Sequence, residues 1–167
     1  MLLRVVATIS ITIRLTPRVA EKLEKEARKM GLGLEEYLLE LALRDLDPSE
    51  RAVEYIDAAE ELLREAREEL EKGNVRQAAE KLWGASALAV KAYAEWKDSR
   101  RLVSHGELWE YSKKLIEELG DWVYDSWMAA NGMHTCFYEG WCTEKHVEEA
   151  VKRIEKLVSE IKKRIES

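Results

Sequence analysis

One stretch of this sequence constrains the fold more than any other. From Asn74 to Trp96 the chain carries Ala78, Ala79, Leu82, Trp83, Ala85, Leu88, Ala89, Val90, Ala92, Tyr93 and Trp96. These apolar positions fall on almost every side of a helix rather than on one stripe. A helix with so little polar surface has to be enclosed by other elements, so it predicts the central member of a bundle. Its alanines allow neighbouring helices to approach closely.

The flanking sequence supplies candidates for the enclosing helices. Asp47-Pro48-Ser49-Glu50 is a start signal, with a capping Asp, Pro at the first helical position and Glu at the third. Ala52, Val53, Ile56, Ala59, Leu63, Ala66 and Leu70 form the buried stripe that follows, and Gly73 ends it. Asn74 to Gln77 reads as a cap for the central helix. Ser104 and Glu107 open a further helix that closes at Gly120. Asp121–Asn131 reads as a shorter aromatic helix, followed by a loop, MHTCFYEGWC. Thr143 opens a last helix with Val147, Val151, Ile154, Leu157, Val158, Ile161 and Ile165 inside. Short connections favour antiparallel neighbours.

The N-terminal part reads differently. In Val5–Leu15, Ala7, Ile9, Ile11, Ile13 and Leu15 alternate with Thr8, Ser10, Thr12 and Arg14. A period of two with β-branched residues predicts a half-buried strand. A lone strand needs a partner edge, and no second strand is evident, so pairing with a second chain is the economical expectation. Thr16-Pro17 opens a helix with Val19, Leu23, Ala27 and Met30 as its stripe. Gly31 and Gly33 interrupt it, and a second short helix is expected over Glu35–Leu46. The expected fold is thus mainly α, an antiparallel bundle over residues 47–167 preceded by a β-strand and two short helices in an assembly segment, 1–46.

Charge narrows the partners. The net charge is −6, from 27 basic and 33 acidic residues. Residues 1–46 hold eight basic against seven acidic, so the excess of acid lies in the remainder. A broad nucleic-acid footprint needs a basic face, so any such contact is expected near the N-terminus. No apolar run is long enough to span a bilayer, and Arg4 interrupts the apolar start. A cytoplasmic location and no membrane association are expected. One Gln and two Asn among many Glu and Lys suggest a heat-adapted source. No phosphate-binding glycine loop or dinucleotide fingerprint is present, and no cofactor is expected.

Several residue sets could carry function. His134, Cys136, Cys142 and His146 form H-x-C-x5-C-x3-H, two thiolates and two imidazoles that make a chemically sensible zinc set. A Cys136–Cys142 disulfide and two separate buried thiols are the alternatives. His134, Tyr138 and Glu139 could line a ligand pocket. The six Trp residues fill core or interface, or line that pocket. Lys81, Lys91, Lys97, Arg100 and Arg101 could add a phosphate-attracting rim.

Two resemblances add to this. Residues 5–46 resemble a ribbon-helix-helix module, with Gly33-Leu34 in place of the polar cap that usually precedes its second helix. That family implies a strand-paired dimer whose outward ribbon side chains, here Thr8, Ser10 and Thr12, read DNA with Arg14 near phosphates. The stretches EKGNVRQAAEKLWGASALAVKAYAE, SHGELWEYSKKLIEEL and FYEGW resemble the archaeal PaREP family, within the wider HEPN group of helical domains. They cover most of residues 50–165. This implies an up-and-down bundle, often dimeric. Many HEPN relatives are metal-independent ribonucleases with an Arg-x4–6-His motif, in which Arg meets phosphate charge and His moves a proton. Arg100 and His105 match that spacing as a catalytic pair. In the group the pair sits near the start of the last long helix, closer to His134, and no Arg precedes His134 at that spacing.

The leading expectation is a non-catalytic helical-bundle protein that binds a nucleotide, a nucleic acid or a protein partner. A homodimer or higher homo-oligomer is the expected assembly. The alternatives are a HEPN-type ribonuclease and a dimeric ribbon-helix-helix DNA-binding regulator.

Overall fold

The computed structural model describes residues 9–167. Among these, seven helices account for all regular structure: α1 (Pro17–Lys29), α2 (Leu34–Ala42), α3 (Pro48–Glu71), α4 (Val75–Asp98), α5 (His105–Leu119), α6 (Trp122–Glu139) and α7 (Glu144–Glu166). No helix among the described residues is long and apolar enough to cross a membrane.

The helix α4 occupies the centre, in contact with α3, α5, α6 and α7. Its burial extends to Lys91 and Glu95 as well as to the alanine-rich stripe. The closest pairing is α3 with α4. Ala52, Ala59 and Ala66 on α3 and Ala78, Ala85, Ala89 and Ala92 on α4 are all fully buried, which lets the two backbones approach. A Cβ at Gly84 would stand 2.9 Å from Leu62 Cδ1, so this contact uses the missing side chain.

Sequence signals explain several ends. Asp47 accepts from the Ser49 and Glu50 amides at 2.9 and 3.0 Å, while the Glu50 side chain reaches the Asp47 amide. Ser104 and Glu107 form the same reciprocal cap on α5. Gly73 takes φ +79°, the left-handed conformation that ends α3. Asn74 does not cap α4 with its side chain. It donates instead to Glu69 at 2.8 Å, back toward the end of α3.

Three expectations are corrected. The strand over Val5–Leu15 does not form among the described residues: positions 9–16 carry no helix or strand and are exposed, and positions 5–8 lie outside the described residues. The fold is therefore all-helical where described, without the preceding β-strand. An alternating pattern supplies a face, but strand hydrogen bonds need a partner edge, and the described chain offers none. Next, α2 ends at Ala42 rather than Leu46. Finally, α6 does not stop at Asn131. It continues through Met133 and Cys136, both buried, to Gly140, which ends it at φ +70°. The connection to α7 shrinks to Gly140–Thr143.

The first two helices sit on the bundle in an unusual way. Among the helices, the backbone of α1 comes close only to that of α2, and α2 has no close backbone approach to any bundle helix. Side chains make the junction: Leu39 and Leu43 pack with the bundle core, and long polar side chains reach across beside them. Lys91 Nζ lies 2.9 Å from Glu40 Oε1 and 3.2 Å from Glu36 Oε1. Tyr55 donates to Glu40 at 2.9 Å, and Arg101 Nη2 donates to it at 3.0 Å. A second buried pair, Arg51 Nε to Glu95 Oε1 at 2.6 Å, joins α3 to α4, and Arg51 Nη1 also donates to the Leu46 carbonyl at 2.6 Å.

Candidate functional site

The stand-off of α2 leaves a cleft of about 430 Å³ between it and the α3–α4 pair. That volume lies within the range of ordinary ligand sites. Its apolar surface comes from Leu34 and Leu39 on α2, Ala58 and Leu62 on α3, and Trp83 and Leu88 on α4. Carboxylates from the same three helices rim it: Glu35 and Glu36, Glu61 and Glu65, and Glu80. Lys81 is the one cation in the lining, and its Nζ is 2.5 Å from Glu65. Glu36, Glu61 and Glu65 pair with Lys91, Arg64 and Lys81, so the excess negative charge of the rim rests on Glu35 and Glu80. Burial, helped by Glu36 and Glu35 and opposed by Lys81, pushes the Glu80 carboxyl above its ordinary value.

One end of the cleft is aromatic. His134 and Tyr138, on α6, both line it. The His134 ring lies 4.6 Å from Trp83, 5.2 Å from Tyr138 and 5.5 Å from His105, centroid to centroid. His105, at the start of α5, lies 5.2 Å from Trp83, and its Nε2 accepts from Trp109 Nε1 at 3.1 Å. Burial first, then His105, lowers the proton affinity of His134. Arg76 fixes the α6 end: its Nε and Nη2 donate to the Phe137 carbonyl at 2.9 and 2.6 Å, and Nη2 donates to the Tyr138 carbonyl at 3.1 Å.

The residues expected from sequence separate into groups. His134 and Tyr138 come together in the cleft, while Glu139 lies exposed at the end of α6. Arg100 and His105 face different neighbours. Arg100 Nη2 is 3.9 Å from Glu110 Oε2, with its guanidinium over the Tyr111 ring, whereas His105 faces Trp83 and His134. Ser10, Thr12 and Arg14 lie on the exposed N-terminal segment, and Thr8 lies outside the described residues.

The zinc set is not assembled: Cys136 and Cys142 form a disulfide with Cα atoms 5.6 Å apart. Its sulfurs are bonded to each other and are not thiolate ligands. His146 Nδ1 accepts from the Thr143 amide at 3.0 Å, where it caps α7. No group of three or more His, Cys, Asp or Glu among the described residues is placed to hold a metal ion. The basic rim is spread among separate contacts. Lys81 pairs with Glu65, Lys91 and Arg101 with Glu40, and Arg100 with Glu110, while Lys97 lies over Trp96.

Sequence reasoning missed the acidic rim. Glu35, Glu61, Glu65 and Glu80 belong to no sequence motif, and only the packing of three helices gathers them.

No curated protein and no solved structure matches the chain. The model of the archaeal PaREP1/PaREP8 family matches residues 54–158, more than half of it, from within α3 to within α7. The wider HEPN and ribbon-helix-helix likenesses rest on sequence motifs alone. The chain belongs to the archaeal PaREP1/PaREP8 family.

Proposed function

We propose that this protein is a non-catalytic binding module whose cleft takes a basic, partly apolar segment of a protein partner. The observation that carries this reading is the combination of an apolar lining with five glutamates and a single lysine at the rim. Such a rim repels the phosphates of a nucleotide or a nucleic acid and attracts Lys and Arg. An apolar lining rewards burial of aliphatic side chains between those cations. Residues 1–46 then act as an assembly segment: α2 forms one wall, held off the bundle by Glu40, Lys91, Tyr55 and Arg101.

Fluorescence anisotropy of three labelled probes tests the reading. They are a peptide alternating Ile with Lys and Ser, its counterpart with Glu for Lys, and a single-stranded RNA. The basic peptide is expected to bind, more weakly as salt rises, and to lose affinity for the E35K/E80K variant. Binding of the RNA in preference to the basic peptide would overturn the reading, as would equal binding of the acidic peptide.

A further inference from the structure

Resting on that reading of the cleft, we infer that its occupant is the N-terminal arm, residues 9–15, of a second copy of this chain. The arm is the most conspicuous exposed apolar element among the described residues. Ile9 and Ile11 are each 80% exposed, Ile13 65% and Leu15 42%. In an extended chain, alternate residues share one face, so these four side chains form a single apolar edge with Ser10, Thr12 and Arg14 opposite. A contiguous apolar edge of this kind marks a surface that associates.

Charge and shape both match. From Ile9 to Ala20 the sequence carries Arg14 and Arg18 and no acidic residue. The cleft offers Leu34, Leu39, Ala58, Leu62 and Leu88 to the aliphatic side chains. Its rim offers Glu35 and Glu80, neither of which is in an ion pair among the described residues, to the guanidinium groups. An arm lying along the cleft leaves its Ser and Thr face, and the backbone groups on that side, in water. It needs no sheet to satisfy them.

Topology favours a second copy over the chain's own cleft. The arm joins α1 at Pro17, whereas the cleft begins at Gly31, beyond the far end of that 13-residue helix. A helix of that length separates Pro17 from Gly31 by about 20 Å. In the single chain Ile9 and Ile11 are each 80% exposed, so the arm does not fill its own cleft. A neighbouring molecule can present its cleft to the arm.

Sedimentation of the full chain tests this. The wild type is expected to self-associate. I11D/I13D, which changes only exposed arm positions, is expected to weaken self-association about a hundredfold or more, and E35K/E80K to weaken it comparably. Mixing the two variants pairs an intact arm with an intact cleft, and the mixture should regain a heteromeric species that neither forms alone. A synthetic peptide of residues 9–18 should dissociate the wild-type assembly, a result that requires no variant to fold.

If the wild type stays monomeric while the alternating Ile, Lys and Ser peptide still binds the cleft, the arm proposal falls and the cleft reading stands. Self-association that survives E35K/E80K, or variants that fail to complement on mixing, also overturns the proposal. If neither peptide binds, both fall.

Discussion

Lys91 Nζ and Glu40 Oε1 lie 2.9 Å apart, and their side chains are only 2% and 4% exposed. One belongs to the central helix of the bundle and the other to a helix whose backbone stands clear of it, so this contact holds one wall of the cleft in place. Removing one partner of a buried pair leaves the other charged and desolvated. We expect E40L to lower unfolding free energy by about 3–5 kcal/mol. In urea titrations the double variant E40L/K91L should cost less than the sum of the single changes.

Acid should weaken the same junction. Burial raises the proton affinity of Glu40, but Lys91, Tyr55 and Arg101 outweigh it and hold the carboxyl below its ordinary value of 4.5. A group whose proton affinity falls on folding stabilises the fold above its unfolded pKa, and the contribution is lost as pH falls through the folded one. Protection factors in α2, taken relative to the intrinsic exchange rate at each pH, should therefore fall as pH drops below 4.5, and E40Q should flatten that dependence.

His134 gives a dependence in a different window. Its proton affinity is lowered on folding, from an ordinary value of 6.5. The unfolded chain then binds more protons, so this residue's contribution is full above pH 6.5 and declines as pH falls below it toward the folded value. Unfolding free energy measured across that range should show a slope that H134F removes.

Arg51 makes two kinds of contact at once. Its guanidinium bonds both Glu95 oxygens, at 2.6 and 3.2 Å, and donates to the Leu46 carbonyl ahead of α3. Lysine keeps the charge without the planar fork. R51K should cost about 2 kcal/mol in thermal or chemical unfolding, with unchanged helicity at ambient temperature.

The Cys136–Cys142 bridge closes a short loop between α6 and α7. Reduction, or C136S/C142S, should lower stability by about 2 kcal/mol on loop-entropy grounds. Free thiols titrated in the unreduced, denatured protein should be absent, and two alkylated cysteines there would contradict the bridge.

Much of the bundle was legible because its signals are local. The all-round apolar pattern of Asn74–Trp96 required enclosure, and Asp47 and Ser104 marked helix starts that the backbone uses. The end of α6 was misread because Thr135, Phe137 and Tyr138 have strand or loop preferences. The spacing Trp127, Ala130, Met133, Cys136 continues the buried stripe through them and would have carried the helix on. The alternating arm invited a strand because period two reports a face, not the partner that a strand requires. His134 and Tyr138 were singled out within a segment that read as a loop; they lie one turn apart on α6 and do share the cleft. The glutamate rim was hidden because its members come from three helices, and because Lys91 and Arg101, which hold α2 in place, look in sequence like surface charges.

Hydrogen–deuterium exchange of the full chain, with and without a basic amphipathic peptide, locates the surface that the peptide covers. Protection is expected at residues 34–39 on α2, 58–65 on α3 and 80–88 on α4, and none of it in E35K/E80K. Protection confined to residues 100–110, around Arg100 and His105, or protection by RNA in place of the peptide, would contradict the cleft reading.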